Sequence, residues 1–449
     1  MATEKSDVVV LGGSAAGLTA AITAHRQYPE KSVVIIRKEA KVLIPCGIPY
    51  IFGTVGTPEK NLVSDAVLDK NKIKLIVSEA EKIDTENKTV KLAGGDEVVY
   101  EKLIVATGSL PAMPPIPGFD KENVWAIHKD VEFLRGIQNK LKDVKNLVIV
   151  GGGFIGIEFA DECKKAGVEN VTIVEFLPHC LMLAFDEEFA VEAEKIMTER
   201  GIKLMTGVKV QEFAGDKKVT SVKLGNGEEL KADAVIMGIG AVANVKMAKK
   251  SGLKLGPTGA IAVNRYLAAS DPDVFACGDC AEKISFFGGR PSPLKLASIA
   301  TSEARIAGAN LFGLRRENIG TIGVWGTAIG DFALSCAGLT ESMAKQAGYD
   351  FVIGEAEGPN RHPGTMPGAK NIKVKLTFER RTGVLLGAQM MGGSVVGELI
   401  NVMSACIQKK MTIDDIAVFQ IGTHPALTAS PIAYQVVNAA EMAFMKTKK

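Results

Sequence analysis

The chain of 449 residues is too long for one hydrophobic core and predicts about two to four domains. With 47% apolar and 23% charged residues and a net charge of +2, it is built like an ordinary globular protein, which excludes a disordered chain and gives no general attraction to nucleic acid or anionic membrane. The seven cysteines are scattered without the spacing of a disulfide framework, no apolar run spans a bilayer, and Met1 to Asp7 leads straight into a strand without a signal peptide, so reduced thiols in the cytoplasm are expected.

Asp7-Val8-Val9-Val10-Leu11 predicts a buried parallel strand, and Gly12-Gly13-Ser14-Ala15-Ala16-Gly17 opens a helix that runs to about Gln27. This is a dinucleotide cradle. Gly12 permits the turn, the small Ser14, Ala15 and Ala16 let backbone N–H groups approach a pyrophosphate, and Gly17 lets helix pack on strand. Ser14 replaces the middle glycine of the usual pattern. After the next strand, Ser32 to Ile36, Arg37 stands where an acid normally holds the ribose hydroxyls, and Glu39 is the substitute.

The segment Leu43-Ile44-Pro45-Cys46-Gly47-Ile48-Pro49-Tyr50 places one thiol in a rigid turn, because Pro45 fixes its own φ and Gly47 avoids a Cβ clash. A helix over Ile48 to Phe52 would put Cys46 at its N-terminus, where unsatisfied N–H groups favour the thiolate. The plain alternative is a small cysteine buried under a loop.

Leu103 to Val105 predicts a strand closing on Ala106, Thr107 and Gly108, and Pro111 to Pro117, with four prolines, a stiff linker. The cradle then repeats. Leu147 to Val150 leads into Gly151-Gly152-Gly153-Phe154-Ile155-Gly156, and the strand Asn170 to Val174 ends in Glu175, at about the twenty-residue spacing that ribose recognition requires. A carboxylate there would repel a 2'-phosphate, which favours NADH over NADPH. The alternative is a glycine-rich turn without ligand. Ala234 to Gly240 closes this half as Leu103 to Gly108 closes the first. A strand over Ile261 to Val263 follows, and then Val274 to Ala276 runs into Gly278-Asp279, presenting a carboxylate to a polyol. Cys277 and Cys280 flank it as a Cys-x-x-Cys, better explained by small side chains in a crowded turn than by redox or metal work, and no metal is expected. From Gly320 onward the pattern changes to a strand-like Val324 to Ser335, a hairpin over Asn371 to Gln389, a helix over Val396 to Lys409 and a last helix whose apolar face is a subunit interface or internal core. Lys446 to Lys449 reads as a solvated tail.

Together these motifs resemble the flavin-dependent pyridine nucleotide-disulfide oxidoreductases over essentially the whole chain. The resemblance implies an α/β protein with two tandem Rossmann-like nucleotide-binding domains and a C-terminal α+β dimerisation domain. The boundaries expected are an FAD-binding domain at 1–112 and 248–319, an NAD(H)-binding domain at 113–247 and a dimerisation domain at 320–449. It further implies FAD on the first cradle, Ala106-Thr107-Gly108 and Gly278-Asp279, NADH on the second cradle up to Gly240, a nicotinamide gate at Phe154 and Glu158 beside the nicotinamide. A homodimer is implied.

Two-cysteine members carry a partner about five residues before the active cysteine, and here that residue is Lys41. Cys46-Gly47-Ile48-Pro49-Tyr50 looks like the Cys-x-x-Pro-Tyr segment of the coenzyme A disulfide and persulfide reductases, with Val42-Leu43 in place of Ser-Phe. Ala15 stands where peroxidases and many oxidases have a histidine, and Thr365-Met366 where coenzyme A disulfide reductases have tyrosines. Thr423-His424-Pro425 resembles the His-Pro segment that protonates a leaving thiolate, with Ala429 in place of its orienting Glu. The expected activity is transfer of electrons from NADH through the flavin and Cys46 to a low-molecular-weight disulfide, persulfide or polysulfide, with His424 as the acid. The alternatives are an NADH oxidase reducing oxygen and a flavin electron relay serving a protein partner.

Overall fold

The computed structural model describes residues 3–447. Met1 and Ala2, and Lys448 and Lys449 of the expected tail, lie outside the described residues, while Lys446 and Thr447 close the last helix. The chain divides into two compact units. One comprises Met1–Pro115, Ala126–Val144 and Ile239–Thr321, the other Ile116–Trp125, Lys145–Gly238 and Ile322–Lys449.

The first unit is built on a sheet whose parallel part runs Lys74–Val77, Val33–Arg37, Thr3–Leu11, Glu97–Val105, with Val274–Ala276 also along Glu97–Val105. Thr89–Leu92 and Ala80–Asp84 extend it antiparallel. Alternate residues of one strand supply two cores, as the period of two requires. Val8, Val10 and Ile35 pack with Ala20 and Ala304 of the helices Ala15–Gln27 and Ala297–Ala309, whereas Val9, Leu11 and Val34 pack with Ile83, Leu253 and Ile261 on the other face. The first strand begins at Thr3, earlier than the hydrophobic pattern suggests, because Thr3 to Ser6 pair with Glu97 to Tyr100 through backbone alone. Ile261 makes only isolated bridges, to Leu255 and Ala281, so the expected short strand is absent.

The second unit holds a sheet ordered Ile202–Met205, Asn170–Val174, Asn146–Val150, Ala234–Met237, Val124–Ala126. It also holds an antiparallel sheet ordered Val324–Ile329, Phe332–Gly338, Leu385–Gly392, Asn371–Glu379, Phe351–Pro359. The strand-like 324–335 stretch is therefore a hairpin, broken where Gly330 takes a positive φ of 58°. The last helix, Gln435–Thr447, buries Val436, Ala439, Ala440 and Ala443 against the Phe351–Pro359 strand, where a Cβ on Gly354 would strike the Ala439 carbonyl. Its apolar face is internal core, and only Met442 and Met445 look outward.

Lys375 organises this unit electrostatically. Only 5% exposed, it meets Glu188 at 2.6 Å, Glu341 at 2.8 Å and Asp186 at 3.2 Å. Burial pushes the Asp186 carboxyl up, but Gln389, the amides of Ser342 and Glu341 and Lys375 outweigh it and hold the group below the usual carboxylate range. Replacing Lys375 by Met leaves Asp186 buried without its cation, and urea denaturation is expected to show a loss on the order of 3 kcal/mol. A loss within the error of the wild-type value would contradict this account of Lys375.

Candidate functional site

Cys46 is exposed, whereas Cys163, Cys180, Cys277, Cys280, Cys336 and Cys406 are all buried. Burial pushes every one of those six thiols up, away from the reactive thiolate. Cys46 sits in a single 3-10 turn, Pro45–Gly47, followed by a second, Pro49–Phe52. Of the helix expected over Ile48 to Phe52 only the four-residue 3-10 turn Pro49–Phe52 forms. Pro49 has no N–H to extend the first turn, so the helix-dipole argument for the thiolate lapses and the rigidity argument stands. That rigidity has a second source. Asn61, 4% exposed, donates from Nδ2 to the Ile44 carbonyl at 2.9 Å, and its own carbonyl accepts from the Ile44 amide at 2.9 Å. A Cβ on Gly47 would collide with the Asn61 side chain. Nothing in the residue order announces this clamp, because Asn61 reaches the turn through the pairing of Leu43 with Leu62.

The first cradle folds as expected. Ser14 caps the Ala15–Gln27 helix without a side-chain hydrogen bond, and neither Ala15, Ala16 nor Gly17 introduces an acid into the first turn. The helix Phe154–Lys165, capped by Gly153, begins in the same way. Elsewhere in the chain the helices at Val131, Glu341 and Ile413 carry side-chain caps from Asp130, Thr340 and Thr412. The helices starting at Ala66, Glu187, Lys246, Ala297 and Val396 also lack a side-chain cap, so what sets the two glycine-led helices apart is the close approach of each to the turn before it, which leaves uncapped N–H groups at the end of a buried strand. Gly17 and Gly156 allow the fit, since a Cβ on either would run into the carbonyl of Gly12 or Gly151.

Around the first cradle, Arg37 is 3% exposed and forks onto both oxygens of Asp65 at 2.7 Å, while also donating to the carbonyls of Glu39 and Ala40. Its methylenes lie against Gly13. Arg37 therefore walls the cradle and shapes the turn at Glu39. The Thr107 hydroxyl donates to the Asn244 carbonyl, and Asn244 returns bonds to Thr107 and Gly108. The linker strand Ser109–Pro111 pairs with Ala241–Ala243, next to Gly240. Ser109 donates to Asp279 at 2.7 Å. The Gly278 turn that carries Asp279 is fixed from below by Glu303, which accepts from the Gly278 amide at 2.8 Å, and by Lys283, which donates to the Gly278 carbonyl at 2.7 Å. Burial, opposed by Lys283, pushes the Glu303 carboxyl up to about 7. Cys277 and Cys280 pack in the same turn, and among the described residues no group of three His, Cys, Asp or Glu can hold a metal ion.

At the second cradle Glu175 accepts from the amides of Gly152 at 2.5 Å and Leu177 at 2.7 Å, which fixes its carboxylate at the strand end. Phe154 meets Phe185 and Trp325 with ring centroids 6.1 Å away in each case. Ile155 is exposed. One turn further, Glu158 takes a hydrogen bond of 3.0 Å from the Thr327 hydroxyl. Burial, opposed by Thr327 and reinforced by Glu162, pushes the Glu158 carboxyl up to about 7. Trp325 and Thr327 have no sequence signal beyond lying two apart on one strand face.

His424 is exposed, and its Nδ1 accepts from the Ala426 amide at 3.2 Å, so the neutral ring carries its proton on Nε2. Ala429, in the place of an orienting acid, is buried. His179 meets Glu194 at 3.0 Å and is tied to that pair rather than to the site.

Two glycine turns that each open a helix at a strand end, a carboxylate beyond Gly278 and one accessible thiol are the arrangement that a flavoprotein oxidoreductase fed by a pyridine nucleotide calls for. Residues 6–304 match the pyridine nucleotide-disulphide oxidoreductase family and residues 324–432 its dimerisation domain, and the chain belongs to that family. Its members use a flavin and NAD(P)H, and this chain is an NAD(P)H-dependent flavoprotein oxidoreductase. An NADH oxidase of Methanocaldococcus jannaschii is 31% identical over 91% of this chain and 92% of that protein. An NAD(P)H coenzyme A polysulfide/persulfide reductase of Pyrococcus horikoshii is 32% identical over 92% of this chain and 93% of that protein. The solved structure of a NAD-dependent persulfide reductase from A. fulgidus superposes with a TM-score of 0.90 at 32% identity, covering 98% of this chain and 84% of that one.

Cys46 is expected to be the one thiol of the seven that a maleimide labels quickly in the native, pre-reduced protein, identified by peptide mass spectrometry. Gly47→Ala is expected to displace Asn61 and lower the unfolding free energy by about 1–3 kcal/mol. Fast labelling of a second cysteine, or a Gly47→Ala protein as stable as wild type, would contradict this geometry.

Proposed function

We propose that the protein is an NADH-dependent reductase of low-molecular-weight disulfides, persulfides or polysulfides, with FAD as its flavin and Cys46 as the nucleophile. The observation that carries this reading is the single exposed cysteine, clamped in its turn while six others are buried. Relatives named as persulfide and polysulfide reductases support it, and so does Ala15, which leaves the first cradle without a histidine to handle peroxide.

On this reading the FAD-binding domain comprises 1–112 and 248–319, the NAD(H)-binding domain 113–247 and the dimerisation domain 320–449, in a cytoplasmic homodimer. The match to a dimerisation domain supports the dimer. Among the described residues no helix is long and apolar enough to cross a membrane. Gly12, Ser14, Ala15, Ala16 and Gly17 bind the flavin dinucleotide's pyrophosphate, Arg37 and Glu39 border its adenosine, and Asp279, steadied by Ser109, accepts from its ribityl chain. Gly151, Gly153, Phe154, Ile155 and Gly156 receive NADH, and the fixed carboxylate of Glu175 disfavours the 2'-phosphate of NADPH.

A bound flavin supplies two-electron transfer from NADH to sulfur. The Cys46 thiolate attacks one sulfur of RS–SR', forming a Cys46–SR bond as the S–S bond breaks and R'S⁻ leaves. The exchange itself consumes no reductant; the one electron pair of NADH then cleaves the mixed disulfide, releases RS⁻ and restores the Cys46 thiolate. The sum is NADH + RSSR' + H⁺ giving NAD⁺ + RSH + R'SH. With Nδ1 engaged by Ala426, His424 presents Nε2–H and acts by hydrogen bonding to the departing thiolate.

The second reading is an NADH oxidase with Cys46 as its redox thiol, favoured by the near full-length similarity to a protein of that name. Cys46→Ser is expected to lower anaerobic NADH-dependent disulfide or polysulfide reduction by at least about a hundredfold while leaving NADH binding intact. An undiminished rate would refute the proposal, and a Cys46-dependent aerobic rate exceeding every anaerobic sulfur-acceptor rate would favour the oxidase.

A further inference from the structure

The helix Phe154–Lys165 is met by the strand Val324–Ile329, which begins the antiparallel sheet of the C-terminal part of the chain. Residues two apart on a strand share a face, and here that face carries Trp325 and Thr327. Trp325 lies against Phe154 and donates from Nε1 to the Ala184 carbonyl at 3.4 Å. Thr327, 8% exposed, donates to Oε1 of Glu158. Among the described residues Thr327 is the one hydrogen-bond partner of that carboxyl, and the half-buried Glu158 leaves Oε2 without a protein donor and open to a ligand. A largely desolvated carboxylate with one oxygen held and the other open is a preorganised acceptor for a donor brought in by a ligand.

We propose that Thr327 is a positioning residue for the nicotinamide end of NADH, fixing Oε1 of Glu158 so that Oε2 accepts from the carboxamide N–H. This rests on the reading of the second cradle as the NADH site, and it deepens that reading. It makes the C-terminal sheet part of the nucleotide site, through the same strand whose Trp325 packs on the proposed nicotinamide gate, Phe154.

Only the ionised Glu158 offers its full acceptor strength, so burial sets a pH dependence on nucleotide binding near neutrality. The charged groups around it are few. Glu162 on the same helix pairs with Lys165, Asp161 pairs with Lys165 and Arg200, and Lys203 on Ile202–Met205 is exposed. The strands Val324–Ile329, Asn170–Val174 and Asn146–Val150 carry no charged side chain. The Thr327 bond stabilises the ionised form. Its loss therefore raises the pH at which Glu158 ionises and shifts the binding profile toward higher pH.

The test is calorimetric binding of NAD⁺ to the oxidised flavoprotein, across about pH 6 to 9, for wild type, Thr327→Val, Thr327→Ser, Glu158→Gln and the Val/Gln double variant. The wild-type affinity is expected to fall as pH drops through the Glu158 range, and Thr327→Val to weaken binding about five- to tenfold near neutrality with its midpoint displaced upward. Thr327→Ser is expected to bind as wild type, Glu158→Gln to lose the pH dependence, and the second substitution to add nothing to it. If Thr327→Val matches wild type at every pH, or weakens binding equally with Glu158→Gln already present, the positioning role is overturned while the nucleotide site stands. If Glu158→Gln itself binds NAD⁺ as wild type does, the placement of the nicotinamide beside Glu158 fails.

Discussion

At two points in this chain a helix backbone approaches the turn before it so closely that no side chain fits between them. Gly17 lies on the carbonyl of Gly12 and Gly156 on that of Gly151. The contact seats each helix on the end of a buried strand and leaves its first N–H groups uncapped at the carboxyl edge of a parallel sheet. The other groups assigned to cofactors lie at strand ends as well. Ala106-Thr107-Gly108 follows Glu97–Val105, Gly278-Asp279 follows Val274–Ala276, and Glu175 follows Asn170–Val174. This edge is where open α/β sheets bind nucleotides, since loops there converge while the strands behind them stay fixed.

The thiol chemistry depends on a different contrast. Six cysteines are placed where burial disfavours the thiolate and excludes reagents, so they act as small apolar side chains. Cys46 is placed in a turn that is itself too short to supply a helix dipole, and its usefulness comes from being held. Pro45 and Pro49 restrict the backbone on either side, and Asn61 locks Ile44 from across the pairing with Leu62. A thiol held in this way loses little conformational freedom on reaching a reaction partner.

The parts of this architecture that are local in sequence were legible there. Both cradles, the carboxylate at Glu175 and the singular setting of Cys46 follow from glycine spacing, strand length and turn residues, which act over a few neighbours. The parts that depend on long-range pairing were not. Arg37 reads only as a departure from the ribose-binding acid until its pairing with Asp65 is seen. The 324–335 stretch reads as one strand because its apolar run hides a turn at Gly330, and the last helix reads equally as interface or core until Gly354 is seen against Ala439. Thr327 carries no signal at all, because a lone threonine on a strand acquires meaning only from the carboxyl it touches.

The central claim is that Cys46 itself bonds to the sulfur of the acceptor. The most direct measurement is peptide mass spectrometry of the pre-reduced enzyme, mixed anaerobically with a stoichiometric small disulfide or polysulfide and quenched with acid. The account predicts an acceptor-derived sulfur adduct on the peptide bearing Cys46, removed when NADH is added before the quench. An unmodified Cys46 while the acceptor is consumed, or an adduct confined to another cysteine, would contradict it.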